Sequence, residues 1–104
     1  MATYQIIYDV EIRKHLAVID RKYHQLIRRT IEKQLSHQPG VEARNRKPLQ
    51  RPSSLGADWE LRLGPNNRFR VLYRIVDTEH EIYVLAVGIK EGNRLLIGGE
   101  EFEL

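Results

Sequence analysis

The first 40 residues combine a short β-type segment with a long helical one. Residues 3–8 (TYQIIY) are rich in β-branched and aromatic side chains, which predicts a first strand. From Asp9 to Gln38 there is no Gly or Pro, and apolar residues recur every three or four positions, which predicts an amphipathic helical region. A single helix of this length would outrun so small a domain, so we expect a break near residues 20–22 and two antiparallel helices.

Residues 39–56 interrupt this periodicity. The segment contains three prolines, two glycines and four basic side chains, which predicts a loop. Long loops without regular structure are uncommon inside compact domains and are usually functional or mobile. We therefore expect Leu49 and Leu55 to anchor the segment to the core while its basic groups stay in solvent.

Apolar and polar residues alternate over residues 59–63 and again over 69–75, on either side of a Gly-Pro-Asn-Asn turn. This pattern predicts a β-hairpin. One register buries all the apolar partners on one face, whereas a shift of one residue would mix the two faces. That register pairs Trp59 with Tyr73, Leu61 with Val71, Leu63 with Phe69 and, on the opposite face, Arg62 with Arg70.

Residues 81–89 (EIYVLAVGI) are almost continuously apolar, which predicts a central strand after a turn over residues 77–80. The tail that follows is compatible with a short strand or a helical turn. The element order β-α-α-β-β-β predicts an α+β fold with an antiparallel sheet and two N-terminal helices packed on one face. We expect one domain over residues 1–104, with Arg62 and Arg70 exposed on the open face of the sheet.

Charge is distributed unevenly along the chain of 104 residues. Its 17 Lys and Arg against 14 Asp and Glu give a net charge of +3, but residues 41–74 alone carry eight basic and three acidic groups. This basic centre favours a polyanionic partner, although solvated charges that aid solubility explain it equally well. The N-terminus lacks the pattern of a signal peptide and no apolar run is long enough to span a membrane, so we expect a cytoplasmic protein.

The usual catalytic and metal-binding patterns find little support. No cysteine is present, and the four histidines, at positions 15, 24, 37 and 80, do not form a metal-binding pair. The serines lack a G-x-S-x-G context. We therefore expect no metal or cofactor.

The arginines are more informative because the predicted strands bring them together. Arg62 and Arg70 face each other across the hairpin, Arg68 and Arg74 share their face, and Lys90 ends the next strand. Guanidinium groups offer planar, bidentate donors to phosphate. Such a cluster could bind a nucleic-acid backbone or stabilise the negative charge of a phosphoryl transition state.

Three segments resemble the RelE/ParE superfamily of toxins from bacterial type II toxin-antitoxin modules. They are RKPL at residues 46–49, WELRLGPNNRFRVLYRIVD at 59–77 and IYVLAVGIK at 82–90. By resemblance to the RelE-like ribonucleases of this superfamily, Arg62, Arg70 and Lys90 are expected to contact the phosphate and to take part in catalysis. Two positions depart from the family pattern: Glu60 stands where a basic residue is expected, and Leu96 lies near the position of a tyrosine.

The resemblance implies a toxin that cleaves mRNA on the ribosome without a metal ion and is neutralised by a cognate antitoxin. Glu60 is the candidate general base. The toxin would contact DNA only indirectly, through the antitoxin complex. A gyrase inhibitor of the ParE type and a non-catalytic, antitoxin-binding module are the alternatives. The residues that we expect to contact nucleic acid outside the catalytic set are Arg46, Lys47, Arg51, Arg68, Arg74 and Arg94.

Overall fold

The computed structural model describes residues 3–51 and 53–103 and has the predicted α+β architecture. Within these described residues, seven strands form one sheet, and two α-helices lie between the first strand and the second. The helices are α1 (Ile12–Ala17) and α2 (His24–Leu35). The strands are β1 (Gln5–Tyr8), β2 (Arg46–Pro48), β3 (Trp59–Leu63), β4 (Phe69–Val76), β5 (Glu81–Glu91), β6 (Arg94–Ile97) and β7 (Glu100–Phe102).

The strands from β2 to β7 follow one another as antiparallel neighbours, whereas β1 joins the sheet differently. It pairs in parallel with the first half of β5, on the edge of β5 whose second half pairs with β6. A parallel pair requires a long crossover connection, and the chain between β1 and β5 supplies one that contains both helices. The predicted antiparallel sheet is confirmed for β2 to β7, and β1 joins it in parallel.

The helical region breaks where the sequence predicts it. A 3₁₀ turn at Arg21–Tyr23 separates α1 from α2, and the Asp20 side chain caps it by accepting a hydrogen bond of 3.1 Å from the Lys22 amide.

In the described residues, neither helix is long and apolar enough to cross a membrane.

The main core lies between the helices and one face of the sheet. Ile27, Ile31 and Leu35 of α2 pack there against buried side chains of β3, β4 and β5. The hairpin register is the predicted one, including the pairs Trp59–Tyr73 and Arg62–Arg70. Burial of the alternate apolar residues on one face fixes this register, because a slip would turn them to the other face.

The face opposite the helices is only partly open, which corrects the prediction. A second, smaller core of Ala57, Leu72, Ala86 and Leu95 covers part of it, with Leu49 packed against its edge. Leu49 thus anchors the predicted loop, but Leu55 is exposed. The loop also contains strand β2, which pairs with β3 and which the sequence analysis missed.

A β-bulge in β5 decides which side chains face the remaining open part of that sheet face. Leu72 pairs with Ala86, but its neighbour Tyr73 pairs with Val84, so Leu85 is the extra residue. Val84 and Val87 both belong to the main core even though their positions differ in parity. Beyond the bulge, Lys90 lies on the face of Arg70, opposite the helices.

His15 gives the fold a specific pH dependence. Its Nδ1 accepts a hydrogen bond of 3.3 Å from the Val87 amide, and burial lowers the pKa of the imidazole despite the opposing influence of Glu11 and Asp9. Because the unfolded chain binds this proton more readily, stability is full above a pH of about 6.5 and falls as the pH decreases. Thermal denaturation should give a lower midpoint at acidic than at neutral pH.

The His15→Gln variant provides the control, since its side-chain oxygen can accept the same hydrogen bond without titrating. It should lose less stability than the wild type over the same pH change, with His24, His37 and His80 still present. An equal loss in both proteins would assign the pH dependence to other groups.

Candidate functional site

An open groove of about 770 Å³ lies on the face opposite the helices, beside the second core. Strands β2 to β5 and the residues that follow β2 form it. Five cationic side chains and one carboxylate give its lining a formal charge of +4. The lining residues are Lys47, Pro48, Leu49, Gln50, Arg51, Glu60, Arg62, Arg70 and Lys90.

The Arg62–Arg70 pair stands at the centre of this groove. The two residues are direct cross-strand neighbours, and like charges in that relation repel unless an anion lies between them. The protein supplies this anion itself. Oε1 of Glu60 lies 2.8 Å from Nε of Arg62 and 3.4 Å from Nη1 of Arg70.

Arg70 is more enclosed than the sequence analysis expected. Its side chain is 13% exposed, compared with 37% for Arg62. Nε of Arg70 also donates a hydrogen bond of 3.0 Å to the backbone carbonyl of Asn67. Asn66 and Asn67 adopt positive φ in the hairpin turn, a conformation that asparagine tolerates better than most residues. The turn therefore helps to orient Arg70 toward the groove.

Gly88 lies across the sheet from Arg70 and beside β6. A Cβ atom there would come within 2.9 Å of both the Leu96 carbonyl oxygen and Cδ1 of Leu95. Glycine therefore allows β6 to approach β5 closely, next to the strand position that carries Lys90.

Arg46 has a structural role, which corrects its predicted place among the nucleic-acid contacts. The residue is buried, and its guanidinium donates hydrogen bonds to the carbonyl of Val41 and to both the carbonyl and the side-chain oxygen of Gln34. These bonds join β2 and the preceding turn to the end of α2. The side chain therefore does not belong to the exposed basic surface.

Replacing Arg46 with alanine should destabilise the protein by about 2–3 kcal/mol, because it removes charge-assisted hydrogen bonds and leaves partly buried acceptors without their donor. Equilibrium urea denaturation measures this loss. The exposed Arg44, two residues away, is the matched control, and its alanine variant should stay within about 0.5 kcal/mol of wild type. Equal effects of the two substitutions would contradict the structural role of Arg46.

Three other predicted contacts lie outside the groove. Arg68 and Arg94 approach the same carboxylate, that of Glu91, at 3.7 and 3.8 Å. Arg74 lies over the ring of Tyr83, with 5.2 Å between the guanidinium carbon and the ring centroid. Of the predicted set, the groove thus brings together Lys47, Arg51, Glu60, Arg62, Arg70 and Lys90.

Gln50 lines the groove although the sequence analysis did not single it out. The β2–β3 pairing could have revealed it, since the Leu49 amide continues this pairing with a hydrogen bond to the Asp58 carbonyl. Leu96 lies on β6 opposite Ile89 and Glu101, and its hydrocarbon side chain has no proton to donate.

Among residues 3–51 and 53–103, no three or more His, Cys, Asp or Glu side chains are arranged to bind a metal ion.

A second cleft, of about 490 Å³, lies on the other side of the sheet, between β1 and the two helices. Its lining includes Ile12, Leu16, Ile27 and Ile31, so its floor is apolar. Burial and the carboxylate of Glu32 raise the pKa of Tyr8, at its rim, to about 12. Two arginines line this cleft, Arg13 and Arg28, and Arg28 is paired with Glu32. The groove has five cationic side chains and is therefore the candidate functional site.

Comparison with known proteins identifies the fold. No protein-family model and no curated protein sequence matches the chain. Among solved structures, it is similar to a chain of the toxin-antitoxin complex RelBE2 from Mycobacterium tuberculosis, with a TM-score of 0.68 and 25% sequence identity. The match covers 86% of this chain and 100% of the solved chain. The chain therefore has a RelE-like fold.

Proposed function

We propose that this protein is the toxin of a toxin-antitoxin module and that it cleaves mRNA on the ribosome. The observation that carries the proposal is the Arg62–Arg70 pair in a groove with a formal charge of +4. Paired guanidiniums beside an open groove suit a phosphodiester better than a neutral ligand. The similarity to a chain of the RelBE2 complex supports the toxin assignment and, with it, a cognate antitoxin as partner.

In the proposed reaction, the ribose 2′-hydroxyl gives up its proton to a solvent water and attacks the neighbouring phosphorus without the help of a metal ion. The new P–O bond closes a 2′,3′-cyclic phosphate, the bond to the 5′-oxygen breaks, and that oxygen takes up a proton as it leaves. Negative charge increases on the phosphoryl oxygens in the transition state. Arg62 and Arg70 stabilise this charge through donors that the sheet holds in place beforehand.

Lys90 is the residue that we assign near the leaving 5′-oxygen, since the bulge in β5 puts it on the face of Arg70. An ammonium group there stabilises the developing alkoxide and can supply its proton. Lys47 and Arg51, on the wall of the groove formed by and after β2, then contact neighbouring phosphates. Because the proposed target is the translating ribosome, we expect the protein to act in the cytoplasm. We expect it to contact DNA only indirectly, through the antitoxin complex.

A cell-free translation reaction tests the proposal. Purified protein should produce new 5′ ends within translated mRNA, each with a 5′-hydroxyl, and should produce none when ribosomes are omitted. Mapping of 5′ ends by primer extension detects them. Intact mRNA at inhibitory protein concentrations would overturn the ribonuclease assignment, and a parallel loss of DNA supercoiling by gyrase would favour the alternative target.

A further inference from the structure

Glu60 is an unusual residue for a groove that binds an anion. Its side chain is only 6% exposed, and it lies on β3 between Lys47 of β2 and Leu72 of β4. Burial of a lone carboxylate is costly, but here two guanidiniums compensate its charge. The same carboxylate compensates the repulsion between Arg62 and Arg70, so the three side chains form one electrostatic unit.

The contacts of this unit leave specific atoms available to a ligand. Arg62 contacts Glu60 through Nε, and in the described residues its two terminal nitrogens have no hydrogen-bond partner. Arg70 uses Nε for Asn67 and Nη1 for Glu60. The terminal nitrogens of Arg62 are the donors that bind two phosphate oxygens in a bidentate pair. Glu60 thus contacts Nε of Arg62 and Nη1 of Arg70, and the two terminal nitrogens of Arg62 are left for a ligand in the groove.

We propose that Glu60 is a positioning residue that fixes the orientation of Arg62 relative to Arg70 and is not the general base. This inference rests on the proposed function and deepens it. Oε1 of Glu60 already accepts from both arginines, so these two ion pairs account for the buried carboxylate without a role in proton transfer. Fixed guanidiniums need no rearrangement when charge develops on the phosphate, which is the advantage of such preorganisation.

The two roles predict opposite orders for conservative variants. A positioning residue needs an oxygen at the right distance, so Glu60→Gln, which has the same length, should retain more activity than the shorter Glu60→Asp. A general base needs an ionisable group, so Glu60→Asp would then retain more than Glu60→Gln. Glu79→Gln, on the exposed turn before β5, is the matched control and should behave as wild type.

The first measurement does not depend on ribonuclease activity. Nuclear magnetic relaxation of the arginine Nε–H groups reports how rigidly each guanidinium is held. Glu60→Ala should lower the order parameter of Arg62 Nε to below about 0.6, the range of flexible groups. Arg70 Nε, held by the Asn67 carbonyl, is the internal reference and should change less. An unchanged Arg62 order parameter would overturn the positioning role even if the protein cleaves RNA.

The second measurement is single-turnover cleavage as a function of pH. Glu60→Gln should lose about tenfold in rate, because a neutral acceptor makes a weaker hydrogen bond than a carboxylate, and should keep the shape of the wild-type pH profile. Glu60→Ala should lose about 10²-fold through misplaced donors. Loss of the acidic limb of the profile in Glu60→Gln would identify a base and overturn the inference. Absence of cleavage by the wild type would refute the proposed function, with the relaxation result still deciding the role of Glu60.

Discussion

Replacing Arg62 with alanine is expected to lower the rate of RNA cleavage by about 10²–10³-fold, the usual effect of removing one donor from a preorganised anion site. Arg62 is the more accessible arginine of the central pair, with a side chain that is 37% exposed. Its contribution should grow as the phosphoryl oxygens gain charge, so kcat and kcat/KM should fall together. Quenched-flow or steady-state cleavage of a translated mRNA measures the change.

Arg62→Lys separates chemistry from stability. Lysine keeps a positive charge beside Glu60, so the fold should lose less than about 1 kcal/mol, but it lacks the planar pair of donors that fits a phosphate. Cleavage should therefore remain well below wild type while the melting midpoint is nearly unchanged. Arg29→Ala, at an exposed position on α2, is the control for a general loss of positive charge and should cleave normally. Normal cleavage by both Arg62 variants would exclude this arginine from the mechanism.

Substitution of Arg70 tests catalysis less directly than substitution of Arg62, because the contacts that position Arg70 also support the fold. Its guanidinium contacts both Asn67 and Glu60 and is largely enclosed, so its removal affects the turn and the buried carboxylate as well as the groove. A loss of activity in Arg70→Ala would combine chemical and structural effects. The expectation of an exposed Arg70 followed from strand alternation alone, which tells which face a residue occupies but not what covers that face.

The hairpin was predictable because its information is local. Alternation of apolar residues from Trp59 to Leu63 and from Phe69 to Ile75 leaves one register that buries them all, and this register is observed. The bulge at Leu85 was not predictable in the same way, because residues 81–89 are apolar on both faces and carry no alternation to interrupt. Consequently the sequence indicated that Lys90 ends a strand, while the structure was needed to assign its face.

In the candidate site too, local sequence patterns predicted some residue positions, and others depended on how separate elements pack. The cross-strand relation of Arg62 and Arg70 follows from the register, and so does the position of Glu60 on their face, two residues before Arg62. Arg46 was misassigned because composition placed it in a solvated loop, whereas the turn before β2 and the end of α2 provide backbone acceptors for its guanidinium. Such long-range enclosure depends on how separate elements pack, and a reading of local patterns does not contain it.

Tyr73→Ala should have the largest effect on stability, about 4–5 kcal/mol, a large part of the 5–15 kcal/mol typical of a domain. Tyr73 has no solvent exposure, and it stacks on Trp59 with 6.2 Å between ring centroids. Its hydroxyl donates a hydrogen bond of 2.7 Å to the carbonyl of Pro39, just beyond α2. Burial raises the pKa of this hydroxyl, so it stays a protonated donor. Urea denaturation followed by circular dichroism measures the loss.

Tyr73→Phe divides this effect between packing and hydrogen bonding. Phenylalanine keeps the ring in the core but leaves the Pro39 carbonyl without its donor, which should cost about 1–2 kcal/mol. Because the bond joins β4 to the chain that leaves α2, its loss should loosen the segment before β2, and amide exchange there should become faster. A Tyr73→Phe protein as stable as wild type would show that the ring alone holds the helices to the sheet at this point, and that the hydroxyl adds nothing.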